Sequence, residues 1–378
     1  MKKQKISILI PDGESHILLY VVNCLSNIKG LQIYVMSNIK NNPMRYSRYI
    51  KGFSFYKKTD SNIDWINNIN KEIEKHNIEV VMPIFEIGIK TLTEYRLKIL
   101  HKDKLGLLPS FANFNTAKNK GLLAEHLKTN NIPGPKSIIV VSNSELDKVN
   151  SLNFPVIIKP LEGFGGGKGI EVFDTVKEFK HHFTSDNFNY INIVQEYIKG
   201  YDIDCSVLCK DGDILAFTIQ KGNMIGKSQF TPQIGLSFLY EQELYNIVEK
   251  LMKSLDWSGV AHIDMRYDQN TKEFKVIEIN TRFWVSLDAS LIAGVNFPYL
   301  YCLSSMESLF QKPQYNFVEY LNLKGLIKRI KQDMKFVFKI NFILNNTPLI
   351  FALKDPAPMT YKFITRTKNI LMSRLNAF

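Results

Sequence analysis

Cysteine is scarce. The 378 residues hold four, Cys24, Cys205, Cys209 and Cys302, with no CxxC pair. That is too few, and too irregularly spaced, for a disulfide framework, and it points to a reducing compartment, read here as the cytoplasm. Long apolar runs are also missing. None approaches the roughly 18 to 20 residues that cross a bilayer, and even "FVFKINFILNNTPLIFAL" is broken by Lys339, asparagines and Pro348. The N-terminus begins with lysines and turns apolar, as a secretory leader would, but Pro11-Asp12-Gly13-Glu14 ends the run after five residues, so a first β-strand is expected instead. An acidic excess is absent too. The net charge is +12, and from Leu321 to Phe378 eight lysines and three arginines face only Asp333 and Asp355, a net +9 that leaves +3 for everything before it.

What is present reads as globular: 45% hydrophobic and 22% charged residues exclude wholesale disorder, and the length suggests two or three domains. Residues 5 to 110 alternate strand-like and helix-like segments, from "KISILI" through "SHILLYVVNCLSN", "LQIYVMS", "DWINNINKEIEKHN" and "IEVVMPI" to "IGIKTLTEYRLKIL". Strict alternation predicts βαβ units on a parallel sheet, with ligand sites at the carboxyl ends of strands. Pro11-Asp12-Gly13-Glu14 lies at such an end, as a plain turn or as a substrate-facing loop; no GxGxxG fingerprint accompanies it. "NTAKNKGLLAEHLKTNNIPGP" predicts one helix with Asn115 or Thr116 near its cap, closed by Asn131 and two prolines. After it come strands with hairpin-like turns and helices near 176–184 and 241–256, an α+β portion without internal repeats.

The stretch "FPVIIKPLEGFGGGKGI" (154–170) carries five glycines behind a run of β-formers. A GxxxxGK[ST] phosphate loop fails here, because Glu162 stands where its first glycine belongs and Gly169 follows Lys168. A glycine loop joining antiparallel strands can still fold over a triphosphate, its N–H groups approaching the oxygens closely, with Lys159 adding positive charge; the alternative is a flexible hairpin with a solvated lysine. Farther on, Asp264, Glu278 and Asn280 can meet across adjacent strands, Glu278 and Asn280 on one face. Carboxylates placed together repel, and hard oxygen donors suit Mg²⁺ bound with substrate phosphates.

With Lys120 in "AKNKGLLAEHL", Lys159 in "FPVIIKP", the loop "GFGGGKG", the hinge-like "VQEYIKGYD", Asp264 and "EINTR" in this order, the chain resembles the ATP-grasp superfamily over about residues 1–310. It looks closest to the carbamoyl-phosphate-synthase-like, predicted carboxylate-amine ligase branch, where "PDGESH" and "RFW.SL…AGV.FPYL" recur. The resemblance implies an α/β and α+β fold: a Rossmann-like pre-ATP-grasp domain (1–114), an ATP-grasp domain (115–310) with a lid at about 135–194, and a basic extension (311–378). It further implies that Lys120 and Lys159 contact nucleotide phosphates covered by Gly165, Gly166 and Gly167. Gln195 or Glu196 would meet the adenine amino group, Tyr197 and Ile198 would flank the base, and Asp202 would hold the ribose. Asp264, Glu278 and Asn280 would hold Mg²⁺ (Mn²⁺ as the alternative), and Arg282 and Arg266 would steady the transferred phosphoryl group or the substrate carboxylate.

Two positions depart from the pattern: Gln195 stands where an acid is usual, and Val285 where this branch commonly has glycine. His262 reads as a packed or supporting histidine rather than a ligand, and Asp202 and Asp204 have a solvated strand edge as their plain alternative. The implied activity is ATP-dependent ligation of a carboxylate to an amine, or to a thiol, through an acyl phosphate, with release of ADP and phosphate and without a protein nucleophile. The carboxylate would come from an amino acid or an envelope sugar. A binding-only nucleotide protein at the membrane surface is the reading from another class. The tail, with "LKGLIKRIKQDMKFVFKI", fits either a helix on the anionic inner face of a membrane, in contact with a lipid-linked substrate, or a face packed on the protein with solvated lysines. Nucleic acid is disfavoured for want of aromatic-basic, helix-turn-helix or zinc motifs, and a homodimer is left open.

Overall fold

The computed structural model describes residues 5–161, 169–183, 192–226, 231–362 and 364–365. Contacts divide the chain into two units, one of residues 1–108, 282–314 and 326–378, the other of 109–281 and 315–325. The expected division at 114 and 310 ran in chain order, whereas these units interleave, because a late strand returns to pair within the second unit.

In the first unit the chain runs β1 (Ile6–Ile10), α1 (Leu18–Leu25), β2 (Leu31–Ser37), β3 (Ile50–Phe55), α2 (Asn62–His76), β4 (Val80–Val81) and α3 (Glu86–Glu94). The strands form a parallel sheet in the order β3-β2-β1-β4. Ile8, Leu9 and Ile10 of the central β1 are fully buried, as a strand covered on both faces requires. In α2, Ile66, Ile69 and Ile73 make the buried stripe, Ser61 caps the start and Asn77 ends the helix in the left-handed region.

Strand order reverses between β1 and β4, and the loops leaving their carboxyl ends meet. The buried Asp12 carboxylate accepts the N–H of Ile84 at 3.0 Å and of Phe85 at 2.7 Å, joining the "PDGE" turn to the start of α3. Burial pushes this carboxyl up to about 7, against the pull of those two backbone bonds. The same contact explains Gly88, where a Cβ would lie 2.4 Å from Asp12 Oδ2 and 2.9 Å from its Cγ. Helix propensity favours alanine over glycine by about 0.8–1 kcal/mol, but displacing the carboxylate would orphan buried N–H groups at about 1–3 kcal/mol. Gly88→Ala is therefore expected to lower the thermal midpoint by a few degrees. A rise in the melt would show that Asp12 yields freely.

The second unit starts with α4 (Phe111–Lys118) and α5 (Lys120–Thr129). These replace the single helix expected here: Ser110 caps the first, and the Asn119 side chain accepts from Gly121 and Leu122 N–H, both at 3.0 Å, to start the second. Lys120 thus stands at a helix start. Then follow β5 (Ser137–Val140), β6 (Val156–Pro160), β7 (Glu171–Phe173), α6 (Val176–Phe183) and β8 (Asn192–Glu196), whose strands make an antiparallel sheet in the order β5-β8-β6-β7. This sheet occupies the segment where a lid was expected, over a core of Phe179, Phe183, Val156 and Val194. Gly165, Gly166 and Gly167 lie outside the described residues.

The rest of the unit is β9 (Gly200–Lys210), β10 (Asp213–Met224), β11 (Gly235–Leu239), α7 (Gln242–Ser254), β12 (Gly259–Asp268) and β13 (Glu273–Asn280). The chain returns to the first unit with α8 (Leu287–Ala293) and α9 (Phe297–Ser305), then supplies β14 (Glu319–Leu321) to the second. The antiparallel order is β13-β12-β9-β10-β11-β14. The helices α10 (Leu323–Gln332), α11 (Ile340–Asn345) and α12 (Leu349–Lys354) follow.

Candidate functional site

Cross-strand register assembles the site. Asp264 on β12 stands opposite Glu278 on β13 and opposite Asp204 on β9, and His262 opposite Asn280 and Ser206. Alternation along each strand sends Asp264, His262, Glu278, Asn280, Asp204 and Ser206 to one face. The three residues expected to hold a metal are thus brought together, and Asn280 Nδ2 donates to Asp264 Oδ2 at 3.1 Å. Two carboxylates and a side-chain amide form the oxygen donor set that Mg²⁺ takes.

Cations stand against these carboxylates. Lys120 Nζ lies 3.6 Å from Glu278 Oε2. Burial would raise the Glu278 carboxyl, but the Lys120 and Lys159 ammonium groups hold it below its ordinary value. Lys159 is buried on β6, and burial brings its ammonium down to about 8, although Glu278 opposes the shift. Carboxylates on the face of one sheet, met by ammonium groups from the start of α5 and from β6 of the other sheet, suit a ligand that is itself a metal with a polyanion.

His262 and Asp204 extend this face. His262 Nε2 lies 3.3 Å from Asp264 Oδ1 and 3.9 Å from Asp204 Oδ2, while Nδ1 meets Ser206 Oγ at 2.9 Å, and Gln220 Nε2 donates to the same Oγ at 3.1 Å. The side chains of Asp204, His262 and Asp264 are close enough to share a cation. Burial, with the Asp202 charge adding, pushes the Asp204 carboxyl up to about 8. Neither Asp202 nor Asp204 is on an edge strand, since β9 runs inside the sheet between β12 and β10, but the Asp202 side chain is 38% exposed. The period-two spacing of "DIDCS" and "HIDMR" held the signal for these residues, but only the register shows that the two runs are neighbours.

The hinge from Gln195 to Gly200 is tied on both sides. Tyr197 N–H donates to the Pro155 carbonyl at 2.9 Å, and Glu196 Oε1 accepts from Asn153 N and Nδ2 at 2.8 and 3.0 Å. Gln195 is buried, its Nε2 donating to Ser137 Oγ at 3.0 Å, and its Oε1 has no hydrogen-bond partner among the described residues. Arg266 commits its guanidinium to this hinge: to the carbonyls of Ile198 (2.7 Å) and Gly200 (2.9 Å), the Asp202 carboxylate (2.5 Å) and Tyr197 Oη (3.3 Å). Its donors go to the polypeptide rather than toward a phosphoryl group, and Asp202 is its ion-pair partner. At Gly200 a Cβ would fall 1.8 Å from the Tyr267 carbonyl oxygen, so only glycine lets β9 approach β12 here.

Arg282 belongs to the first unit. Its Nε lies 3.6 Å from Glu86 Oε1, and its guanidinium carbon is 5.4 Å from the centre of the Phe85 ring, which His16 meets edge-on at 5.6 Å. Burial, then the Arg282 charge, lowers the His16 imidazole below its ordinary value. These groups sit where strand order reverses, the place at which open α/β sheets bind ligands. Sequence reasoning missed Glu86 and His16, although both follow the carboxyl ends of strands.

Residues 117–286 match the protein family described as ATP-grasp domain. Among curated proteins the chain is similar to a D-aspartate ligase of Enterococcus faecium, 26% identical over 208 residues, covering 48% of this chain and 49% of that one. It is also similar to a carbamoyl phosphate synthase large chain of Clostridium acetobutylicum, 27% identical over 228 residues, 58% of this chain and 21% of the other. The chain therefore spans less than half the length of either relative. Among solved structures it resembles the N5-carboxyaminoimidazole synthetase of Staphylococcus aureus complexed with ADP, with a TM-score of 0.69 at 16% identity over 87% of each chain.

Proposed function

Because residues 117–286 are an ATP-grasp domain, we propose that this protein is an ATP-dependent ligase that joins a carboxylate to an amine and releases ADP and phosphate. The observation that carries the reading is the convergence of Asp264, Glu278 and Asn280 on one sheet face, with Lys120 at the start of α5 lying 3.6 Å from Glu278 and the buried Lys159 adding its charge. A carboxylate resists an amine until one oxygen becomes a leaving group. Transfer of the γ-phosphoryl group makes it one, and positioning with charge stabilisation dominates that step. Glu278, Asp264 and Asn280 would hold the metal, which would supply neutralisation of phosphate charge. Lys120 and Lys159 face the phosphates.

Gln195 supports the nucleotide end of this reading, since its buried Oε1 is an acceptor without a protein donor among the described residues, and the adenine amino group supplies one. Tyr197 and Ile198 flank the base, and Asp202, kept in place by Arg266 just past the hinge on β9, serves the ribose. Arg282, whose Nε lies 3.6 Å from Glu86 Oε1, is assigned to the transferred phosphoryl group or the substrate carboxylate. The E. faecium relative is named a D-aspartate ligase, which agrees with an amino acid among the substrates.

The test is product analysis by mass spectrometry with MgATP and a panel of amino acids, uronic acids and amines. ADP formed only with a particular carboxylate and amine supports the reading and identifies both. AMP in place of ADP would refute the acyl-phosphate route.

A further inference from the structure

We propose that residues 327–340 form a docking surface for an anionic phospholipid bilayer. The argument starts from exposure. Phe338 is 80% exposed, Met334 70%, Ile340 59%, Ile327 55% and Val337 45%. Large apolar side chains crowded into so short a segment exceed the scattered surface hydrophobics that a folded protein ordinarily shows. The segment is not loosely attached, since Leu326, Phe336 and Ile343 from the same stretch are buried. Its core demand is met, and the remaining apolar groups point elsewhere.

Charge selects the partner. From Lys324 to Lys339 five lysines and Arg329 face only Asp333, a net +5, and Asp333 caps the turn at Met334–Phe338 by accepting the Lys335 N–H at 3.0 Å. Lys339 and Arg329 lie 5.4 and 5.5 Å from the centre of the buried Phe336 ring, which fixes two cations beside the patch. Protein interfaces deplete lysine from their apolar cores. A membrane interface accepts the mixture, because lysine stems lie along apolar surface while the ammonium reaches the headgroups. Nucleic acid would use the cations but leave the aliphatic groups in water, so the apolar half of the pattern speaks for lipid.

Co-sedimentation of the full chain with sucrose-loaded vesicles tests this, comparing pure phosphatidylcholine with vesicles containing about 30% phosphatidylglycerol. Binding is expected only to the anionic vesicles, weakening in high salt as surface charges are screened. The double variant Met334→Ser/Phe338→Ser is expected to lose about tenfold or more in vesicle affinity, because the removed groups supply buried apolar area. Both positions are exposed, and an unchanged thermal melt shows that the variant folds. No binding, equal binding to neutral vesicles, or an unaffected double variant overturns the proposal. So does self-association, or DNA binding, that the variant abolishes while vesicles do not compete.

Discussion

Alanine at position 278 is expected to reduce ADP formation about a thousandfold or more, a loss of about 4 kcal/mol of transition-state stabilisation. Glu278 stands opposite Asp264 and 3.6 Å from Lys120, and its carboxyl is held ionised by Lys120 and Lys159 against the effect of burial. Its removal takes away a carboxylate proposed to hold the metal and leaves the two ammonium groups with less to offset them. The fold should persist, because β13 keeps its ladder with β12 whatever side chain stands at 278. Initial rates with the substrate pair found by product analysis, beside a thermal melt, provide the check. Turnover within fivefold of the parent would remove Glu278 from the metal site. Glu278→Gln separates charge from shape, and is expected to fail nearly as badly.

Lys159→Met is expected to move binding and stability in opposite directions. A hydrogen bond to a charged group contributes about 1.5–3 kcal/mol, so MgATP affinity should fall about 10- to 150-fold. Yet burial brings this ammonium down to about 8, which means the folded protein tolerates its charge at a cost. An apolar side chain of similar length removes that cost, and the unliganded variant should melt at the same temperature or higher. Calorimetric titration with MgATP and melts of the free protein read the two effects separately. Unchanged ATP affinity would show that Lys159 touches no phosphate; a large drop in melting temperature would make it a structural residue instead.

Much of this was legible in the sequence because it is local. Apolar periodicity marked β1, α1, β2, α2 and α3, and the order of Lys120, Lys159, the glycine loop, the hinge, Asp264 and Glu278 with Asn280 carried the family resemblance. β3 and β11 were overlooked, as "IKGFSF" is only half-buried and "GLSFL" is short, so each becomes a strand by virtue of the neighbour it pairs with. The helix cap at Asn119 rather than Asn115 or Thr116 also escaped, since several asparagines compete in "NFNTAKNK" and the geometry of the chain selects among them.

The sequence by itself determined which residue types alternate along each strand, and therefore that Glu278 and Asn280 share a face, as do His262 and Asp264. Only the tertiary structure decided that β9 lies beside β12, which puts Asp204 and Ser206 next to the expected metal residues, and only it decided that Arg266 turns to the hinge and that Met334 and Phe338 are left in solvent while Phe336 is buried. Side-chain period follows from the bonds of one chain segment. Register, strand order and exposure come from pairing between segments up to hundreds of residues apart, where burial and charge are settled together.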